Sequence, residues 1–147
     1  MEVNDTFQQF HDGWAAINTI YEKYARNIGV SYAFLQVLCE LYEVDGVLTQ
    51  KEICARCQLP KTTVNAIVNG FDKNDYVGFK AIPTDKRQKG IFLTVKGKEY
   101  AEPIMTKMRS SEQKAFATLD SDTVEKMIQG IDKYQQAFNQ YLNDEGE

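Results

Sequence analysis

Two stretches at opposite ends of the sequence carry apolar residues at alternating spacings of three and four. One covers residues 3–28 and the other covers residues 124–141. This spacing places the apolar residues on one narrow face of a long helix, as in coiled coils. A short central domain does not need both faces to complete its core, so we expect the two helices to form a two-fold dimer interface. An intramolecular helix pair that covers a single core is the alternative.

Between these stretches, the pattern predicts one longer helix followed by two short ones. Ser31 is a favourable N-cap for a helix whose apolar stripe begins at Phe34. Thr49 and Glu52 form a capping-box pattern that opens a short helix. Pro60 stands at the start of a further helix, where its missing N–H costs little. Two short helices joined by a tight turn constitute a helix-turn-helix.

After residue 75 the periodicity changes from that of a helix to that of strands. Residues 76–82 and 90–94 are rich in aromatic and β-branched side chains, which predicts two strands joined by a loop over residues 83–89. Thr94 is then a favourable cap for another long helix. The predicted fold class is therefore mainly α with a small β-hairpin wing, a winged helix-turn-helix flanked by long N- and C-terminal dimerisation helices.

The charges of the chain are distributed unevenly along the sequence. The net charge of −4 at pH 7 by itself disfavours binding to a polyanion. Residues 80–98, however, contain six cations and only one acid, Asp85, so this strip carries +5 and the remainder −9. A basic strip on an acidic body directs one side of the molecule toward a polyanion. An ordinary solvated hairpin is the alternative.

The composition excludes several other classes of protein. Three cysteines, an odd number, suit a reducing compartment. No apolar run approaches the roughly 18 residues needed to cross a bilayer, and residues 1–10 lack the layout of a signal peptide. We therefore expect a cytoplasmic protein without membrane contact. The sequence offers no Ser/Cys–His constellation, glycine-rich phosphate loop or metal-ligand cluster, so we expect neither an enzyme nor a bound metal or cofactor.

The motifs of residues 48–97 resemble those of the multiple antibiotic resistance regulator (MarR) family. They are Leu-Thr-Gln-Lys-Glu-Ile-Cys at 48–54, Pro-Lys-Thr-Thr-Val-Asn at 60–65, Asp-Lys-Arg at 85–87 and Leu-Thr-Val-Lys-Gly at 93–97. The resemblance implies a triangular dimer of winged helices that binds double-stranded DNA, usually a repressor and often one released by a small molecule. The chain departs from the family at Ala66 and Gly70, because family members commonly place basic residues on this face of the recognition helix.

This resemblance implies how the chain is organised. We expect a single domain over residues 1–147, in which residues 31–98 form the winged-helix DNA-binding lobe. Residues 1–30 and 99–147 are then the helical dimerisation region, through which the chain binds a second copy of itself.

Polar residues on the reading helices and the wing are candidates for contacts with DNA. Asparagine pairs with adenine and lysine reaches guanine in the major groove, while helix N-termini bind phosphates. Arg87 is the foremost candidate, because a hairpin tip can enter the minor groove, whose negative potential attracts guanidinium groups. The resemblance implies that Asp85 fixes the geometry of that guanidinium. The candidates are Gln50, Lys51, Lys61, Thr62, Thr63, Asn65, Asn69, Asp85, Lys86, Arg87 and Lys89.

Two further expectations concern the cysteines and an effector. Cys54 and Cys57 lie on the buried stripe of the first reading helix, which favours structural thiols over a redox pair or half a zinc site. Cys39 is interpreted in the same way, with peroxide sensing as the alternative. The resemblance also suggests a pocket for a small aromatic or phenolic effector, although aromatic stripes are more typical of a core. The candidate lining residues are Phe10, Trp14, Tyr24, Phe34 and Tyr42.

A rival hypothesis is a winged-helix module that binds another protein, as an antirepressor does. The acidic body and the recognition helix without arginine support it, and the basic wing with Arg87 opposes it. The two hypotheses differ in salt dependence, because contacts with phosphates release counterions and weaken steeply with salt.

Overall fold

The computed structural model describes residues 3–143, which are mainly helical. The described part contains, in chain order, α1 (Val3–Asn27), α2 (Tyr32–Glu43), β1 (Leu48–Thr49), α3 (Gln50–Cys57), α4 (Lys61–Lys73), β2 (Val77–Ile82), β3 (Asp85–Leu93), α5 (Val95–Phe116) and α6 (Ser121–Asn143). The predicted fold class is confirmed: a winged helix-turn-helix lies between long terminal helices. The expectations for residues 1–2 and 144–147 lie outside the described residues.

The chain forms two compact units, Met1–Met105 and Thr106–Glu147. The boundary falls inside α5, and α1 belongs to the same unit as the winged helix. The predicted division assigned DNA binding to one segment and dimerisation to the others. The two compact units do not test this assignment, so it stays a prediction.

The two helix boundaries that precede the winged helix are set by capping groups. Gly29, in the left-handed region at φ +81°, follows the end of α1. The backbone N–H of Val30 donates to the carbonyl of Ala25 (3.0 Å), as in a Schellman-type ending. The backbone N–H of Phe34 donates to Ser31 Oγ (3.1 Å) at the start of α2. The predicted Ser31 cap is confirmed.

The core of the first unit lies where α2, α3 and α4 meet the sheet. Leu38, Ile53, Val64 and Phe71 are all completely buried there. The ring of Phe34 meets the Phe71 ring edge-on, with centroids 4.6 Å apart. This packing fixes α4 against the rest of the unit and leaves its opposite face for other contacts.

The sheet has three antiparallel strands in the order β1-β3-β2. β1 pairs with β3 through Leu48 and Ile91; this two-residue strand was not predicted, because it is too short to show alternation. β3 begins at Asp85, so the turn of the hairpin consists of Pro83 and Thr84 alone. The predicted loop over residues 83–89 is therefore wrong. Side chains beyond the edge of the core are solvated on both faces, so the alternation that marks a strand is lost there.

The junction between the wing and α5 depends on Thr94 and Gly97. The Thr94 hydroxyl donates to the carbonyl of Asp75 (2.6 Å) and accepts from the backbone N–H of Gly97 (3.0 Å). A Cβ atom on Gly97 would lie 2.0 Å from the carbonyl oxygen of Tyr76. The Leu-Thr-x-x-Gly motif thus joins a buried leucine, Leu93, to a helix cap and a close backbone contact.

The apolar seams predicted for the two terminal helices lie largely at the surface of the single chain. On α1, the side chains of Phe7, Trp14 and Ile17 are each about half exposed. Over its described length, α6 buries none of its residues. Its exposed apolar side chains are Met127, Ile128, Ile131, Tyr134, Phe138, Tyr141 and Leu142.

Candidate nucleic-acid interface

The recognition helix α4 divides cleanly into a buried and an exposed side. Val64, Val68 and Phe71 face the core, whereas Lys61, Asn65 and Asn69 are exposed. The last three are spaced by four residues, which places them in one row along the helix. Thr62 is exposed beside this row, and Thr63 is half-buried. The helix therefore presents one lysine and two amides in line to a partner.

The start of α3 lies beside the start of α4. The backbone N–H of Thr49 donates to the Glu52 carboxylate (2.7 Å), and the backbone N–H of Glu52 donates to Thr49 Oγ1 (3.1 Å), so the predicted capping box is confirmed. The hydrogen bonds from Thr49 hold the pKa of the Glu52 carboxyl below its usual value. Gln50 Nε2 donates to the carbonyl of Lys61 (3.3 Å), and Lys51 is exposed beside it. This bond links the N-termini of the two reading helices.

The wing contains a bulge that displays Arg87. In the β2–β3 register, Ala81 pairs with Lys89 but the next residue, Ile82, pairs with Asp85. Residues 86–88 are therefore extra residues on β3. The Asp85 carboxylate accepts from the backbone N–H of Arg87 (3.0 Å) and from Gln88 Nε2 (3.1 Å). These two hydrogen bonds hold the main chain of the bulge, and the Arg87 side chain stays exposed.

Two expectations about Arg87 need correction. Arg87 lies in the bulge of β3 rather than in a loop at the tip of the hairpin. Asp85 reaches Arg87 through its backbone N–H, and among the described residues no ion pair joins the carboxylate to the guanidinium. Asp85 thus positions the main chain of the bulge rather than the Arg87 guanidinium.

These elements surround a cleft between the reading helices and the wing, and the volume of the cleft is about 700 Å³. We call it the reading cleft. It is lined by Thr49, Gln50, Lys51, Cys54, Lys61, Asn65, Val68, Asn69, Phe79, Arg87, Gln88, Lys89 and Ile91. Seven of the eleven residues predicted to contact DNA are among them. The other four, Thr62, Thr63, Asp85 and Lys86, lie outside the lining.

Six lining residues were not among the sequence candidates: Thr49, Cys54, Val68, Phe79, Gln88 and Ile91. Gln88 is held by Asp85, a pairing that depends on the bulge. Phe79 is two residues from the buried Val77 on the same strand, so alternation alone would place it on the buried face. The sequence pattern gives no signal that places any of the six in the cleft.

The basic strip of residues 80–98 divides into two groups. Lys80, Lys86, Arg87 and Lys89 lie on the hairpin, but the other two cations of the strip are on the first turn of α5. One of them, Lys96, lies 4.0 Å from the Asp75 carboxylate and 5.7 Å from the centroid of the Tyr76 ring. The positive charge that faces the reading cleft therefore comes from the hairpin and the reading helices.

The cysteines are thiols rather than disulfides. Cys57 is buried, as predicted, and burial raises the pKa of its thiol to about 11. Cys54 is only half-buried, because it faces the reading cleft. Cys39 is half-buried on α2, and its proposed peroxide sensitivity stays a prediction.

The five aromatic residues predicted to line an effector pocket lie in different surroundings. Phe34 packs on Phe71 in the core. The Tyr24 hydroxyl donates to the carbonyl of Ile104 (2.9 Å), and the Tyr42 hydroxyl donates to the Glu102 carboxylate, which raises the pKa of Tyr42. Phe10 and Trp14 are exposed on α1. None of the five lines the reading cleft.

Neither a metal site nor a membrane span emerges from residues 3–143. Within that range, no group of three or more His, Cys, Asp or Glu side chains is placed to hold a metal ion. Of the helices described, none combines the length and apolar character needed to cross a membrane.

A helix-turn-helix whose second helix lies against a basic antiparallel hairpin defines a winged helix-turn-helix protein. Residues 28–88 match the model of the MarR family. The recognition from sequence is confirmed for this segment, which contains the helix-turn-helix and the first part of the wing. A comparison with curated proteins finds no match.

Solved structures of MarR-family regulators share the fold at low sequence identity. NMB1585 of Neisseria meningitidis matches with a TM-score of 0.81 at 21% identity, over 96% of this chain and 99% of that one. Staphylococcus aureus MepR in complex with DNA matches at 0.70 and 20% identity, over 89% and 96% of the two chains. Staphylococcus aureus MarR in complex with salicylate and kanamycin matches at 0.71 and 20%, over 93% and 92%.

Proposed function

We propose that this chain is a sequence-specific DNA-binding regulator of transcription that acts in the cytoplasm, as a homodimer and as a repressor. The observation that carries the proposal is the reading cleft, where the polar row of α4 faces the basic wing. A relative of the same fold, MepR, has been solved in complex with DNA. MepR and NMB1585 are both regulators, which argues against an enzymatic role for this chain.

Each part of the cleft has a defined task on duplex DNA. α4 lies in the major groove, where Asn65 and Asn69 can each pair with an adenine and Lys61 with a guanine. A good base contact of this kind discriminates by about 1–3 kcal/mol. Gln50 and Lys51 lie at the N-terminus of α3, where backbone N–H groups bind a phosphate.

The wing contacts the adjacent minor groove. Arg87 projects from the bulge, and its guanidinium is attracted by the negative potential of a narrow minor groove. Lys86 and Lys89 flank it and neutralise phosphates, which fixes the register of the protein without reading sequence. Thr62 and Thr63 supply a hydroxyl or a methyl group beside the row of α4.

The exposed apolar seams support a homodimer. An exposed apolar patch that is continuous along a helix marks an interaction surface, and a second copy supplies a self-complementary one. Two reading clefts related by a two-fold axis fit a pseudo-palindromic operator, with half-sites about one helical turn apart.

Release by a small aromatic or phenolic effector is a further part of the proposal. Its support is the complex of Staphylococcus aureus MarR with salicylate and kanamycin. Phe10, Trp14, Tyr24, Phe34 and Tyr42 remain its candidate residues, and an effector is expected to weaken DNA binding through them.

The test begins with selection of duplexes from a random-sequence pool. The selected duplex is titrated with the wild type, with Arg87→Ala and with Lys98→Ala, which removes the same charge from α5 outside the cleft. We expect Arg87→Ala to lose about tenfold or more in affinity and Lys98→Ala to change little. Equal affinity for all three would refute the role of Arg87. Failure to enrich any sequence, with weak binding that ignores salt, would instead favour the protein-binding module.

The oligomeric state is tested by light scattering. We expect a mass of twice 16.8 kDa for the wild type. Ile17→Glu, on the exposed seam of α1, should lower this mass, whereas Lys23→Glu, off the seam, should not. A monomeric wild type would contradict the dimer.

A further inference from the structure

Phe79 is an unusual residue in the winged helix. Its side chain is 43% exposed, and among the described residues between 31 and 94 it is the one large apolar side chain that is exposed. A single exposed apolar residue is common on a protein surface. Phe79 differs because it lines the reading cleft rather than an outer face of the protein.

The surroundings of Phe79 form an apolar floor with a polar rim. Phe79 pairs with Ile91 across the β2–β3 ladder, and Ile91 and Val68, both nearly fully buried, line the cleft with it. The Lys89 ammonium lies 6.0 Å from the centroid of the Phe79 ring, within the range of a cation–π contact. Lys89 pairs with Ala81, two residues along β2, so the two side chains form a diagonal cross-strand pair.

The position of the cleft determines what approaches the ring. One sugar–phosphate backbone separates a major groove from the neighbouring minor groove. If α4 occupies the first groove and Arg87 the second, that backbone crosses the cleft between them. A deoxyribose presents carbon atoms to such an apolar floor. The phosphates on either side of the sugar then lie near the polar residues around the floor, among them Lys89.

We propose that Phe79 is a DNA-contacting residue whose ring packs against a deoxyribose of the strand that crosses the reading cleft. The ring also positions the Lys89 ammonium toward the neighbouring phosphate. This inference rests on the proposed function and adds an apolar contact that the polar readers do not supply. The contact carries no charge, so it contributes affinity that salt does not screen.

The experiment measures affinity for the selected duplex at several salt concentrations. The variants are Phe79→Ala, Lys89→Gln, the double variant and the control Val95→Ala, whose side chain is 74% exposed on α5 outside the cleft lining. Lys89→Gln should reduce the salt slope by about one unit. Phe79→Ala should weaken binding about tenfold with a smaller change in slope. Val95→Ala should bind as the wild type does.

The double variant separates positioning from simple contact. If the ring positions Lys89, the double variant loses less affinity than the two single losses combined. Provided that the wild type selects a duplex, two results would overturn the inference. One is an affinity of Phe79→Ala within twofold of that of the wild type, and the other is a loss of affinity in Val95→Ala as large as that in Phe79→Ala. A wild type that selects no duplex would overturn the proposed function and this inference together. Unchanged thermal unfolding of Phe79→Ala assigns its loss of affinity to the contact rather than to the fold.

Discussion

Replacing Gly97 with alanine is expected to destabilise the junction between the wing and α5. The new Cβ would lie 2.0 Å from the Tyr76 carbonyl oxygen and 2.9 Å from its carbonyl carbon. Ordinary contact begins at 3.4 Å, so the first turn of α5 must move away from Tyr76 by about 1.4 Å. The Tyr76 atoms are main chain and the position of the new Cβ is fixed by the main chain of α5, so no rotamer change can relieve the contact.

The cost follows from what this movement disrupts. Three hydrogen bonds cross the junction: Thr94 N–H to the Tyr76 carbonyl (3.0 Å), Gly97 N–H to Thr94 Oγ1 and Thr94 Oγ1 to the Asp75 carbonyl. Each contributes about 1 kcal/mol, and forced overpacking costs about 1–3 kcal/mol. With one or two of the bonds weakened, we expect a loss of about 3–4 kcal/mol. For a chain of this length the midpoint of thermal unfolding should fall by about 10 °C.

The assay is urea and thermal unfolding at one protein concentration, since the proposed dimerisation would make stability depend on concentration. Gly70→Ala is the matched control. Gly70 is also in a helix, but a Cβ there meets nothing within 4 Å. The same substitution should therefore stabilise α4 by about 0.5–1 kcal/mol. A Gly97→Ala variant as stable as the wild type would refute the reasoning from the close contact.

Two other predictions concern titratable groups near the reading helices. Because hydrogen bonds from Thr49 lower the pKa of Glu52, this carboxylate stabilises the fold above its ordinary pKa of 4.5, and the contribution is lost as the pH falls from there toward the lowered value. The difference in unfolding free energy between the wild type and Glu52→Gln should thus stay constant from about pH 7 to about pH 5 and shrink as the pH falls toward about 3 in urea titrations, and a difference that stays constant throughout would contradict the cause given. For Cys57, burial and a pKa of about 11 predict slow reaction with a thiol reagent at pH 8. In the native protein Cys39 and Cys54 should react first, and equal rates for all three would be inconsistent with this burial.

The sequence predicted the elements whose signals are local. Ser31 caps α2, and the Thr49–Glu52 capping box opens α3. Each depends on residues three apart, so the pattern is visible without knowledge of the fold. The polar row of Lys61, Asn65 and Asn69 was found for the same reason, since a helix repeats within four residues.

The features that the sequence did not predict depend on contacts between distant residues. β1 exists because Leu48 meets Ile91, and two residues alone show no period. The partner of Asp85 is decided by the bulge, which depends on the register between the two strands. Phe79 follows Val77 by two residues, yet Val77 is buried and Phe79 is not, because β2 extends past the edge of the core. Alternation indicates a face of the strand but not where the core beneath that face ends.

The bulge at residues 86–88 of β3 separates the turn of the hairpin from the regular ladder of β2 and β3. A shift of one residue in a regular hairpin turns every side chain to the opposite face. Here the ladder from Val77 to Ala81 is complete before the extra residues 86–88 begin, and Asp85 holds their base. A change of length or residue type among these three can therefore alter what the wing presents to a groove without turning the floor of the reading cleft. The fold thus leaves the residues of the bulge free to vary while the rest of the cleft keeps its geometry.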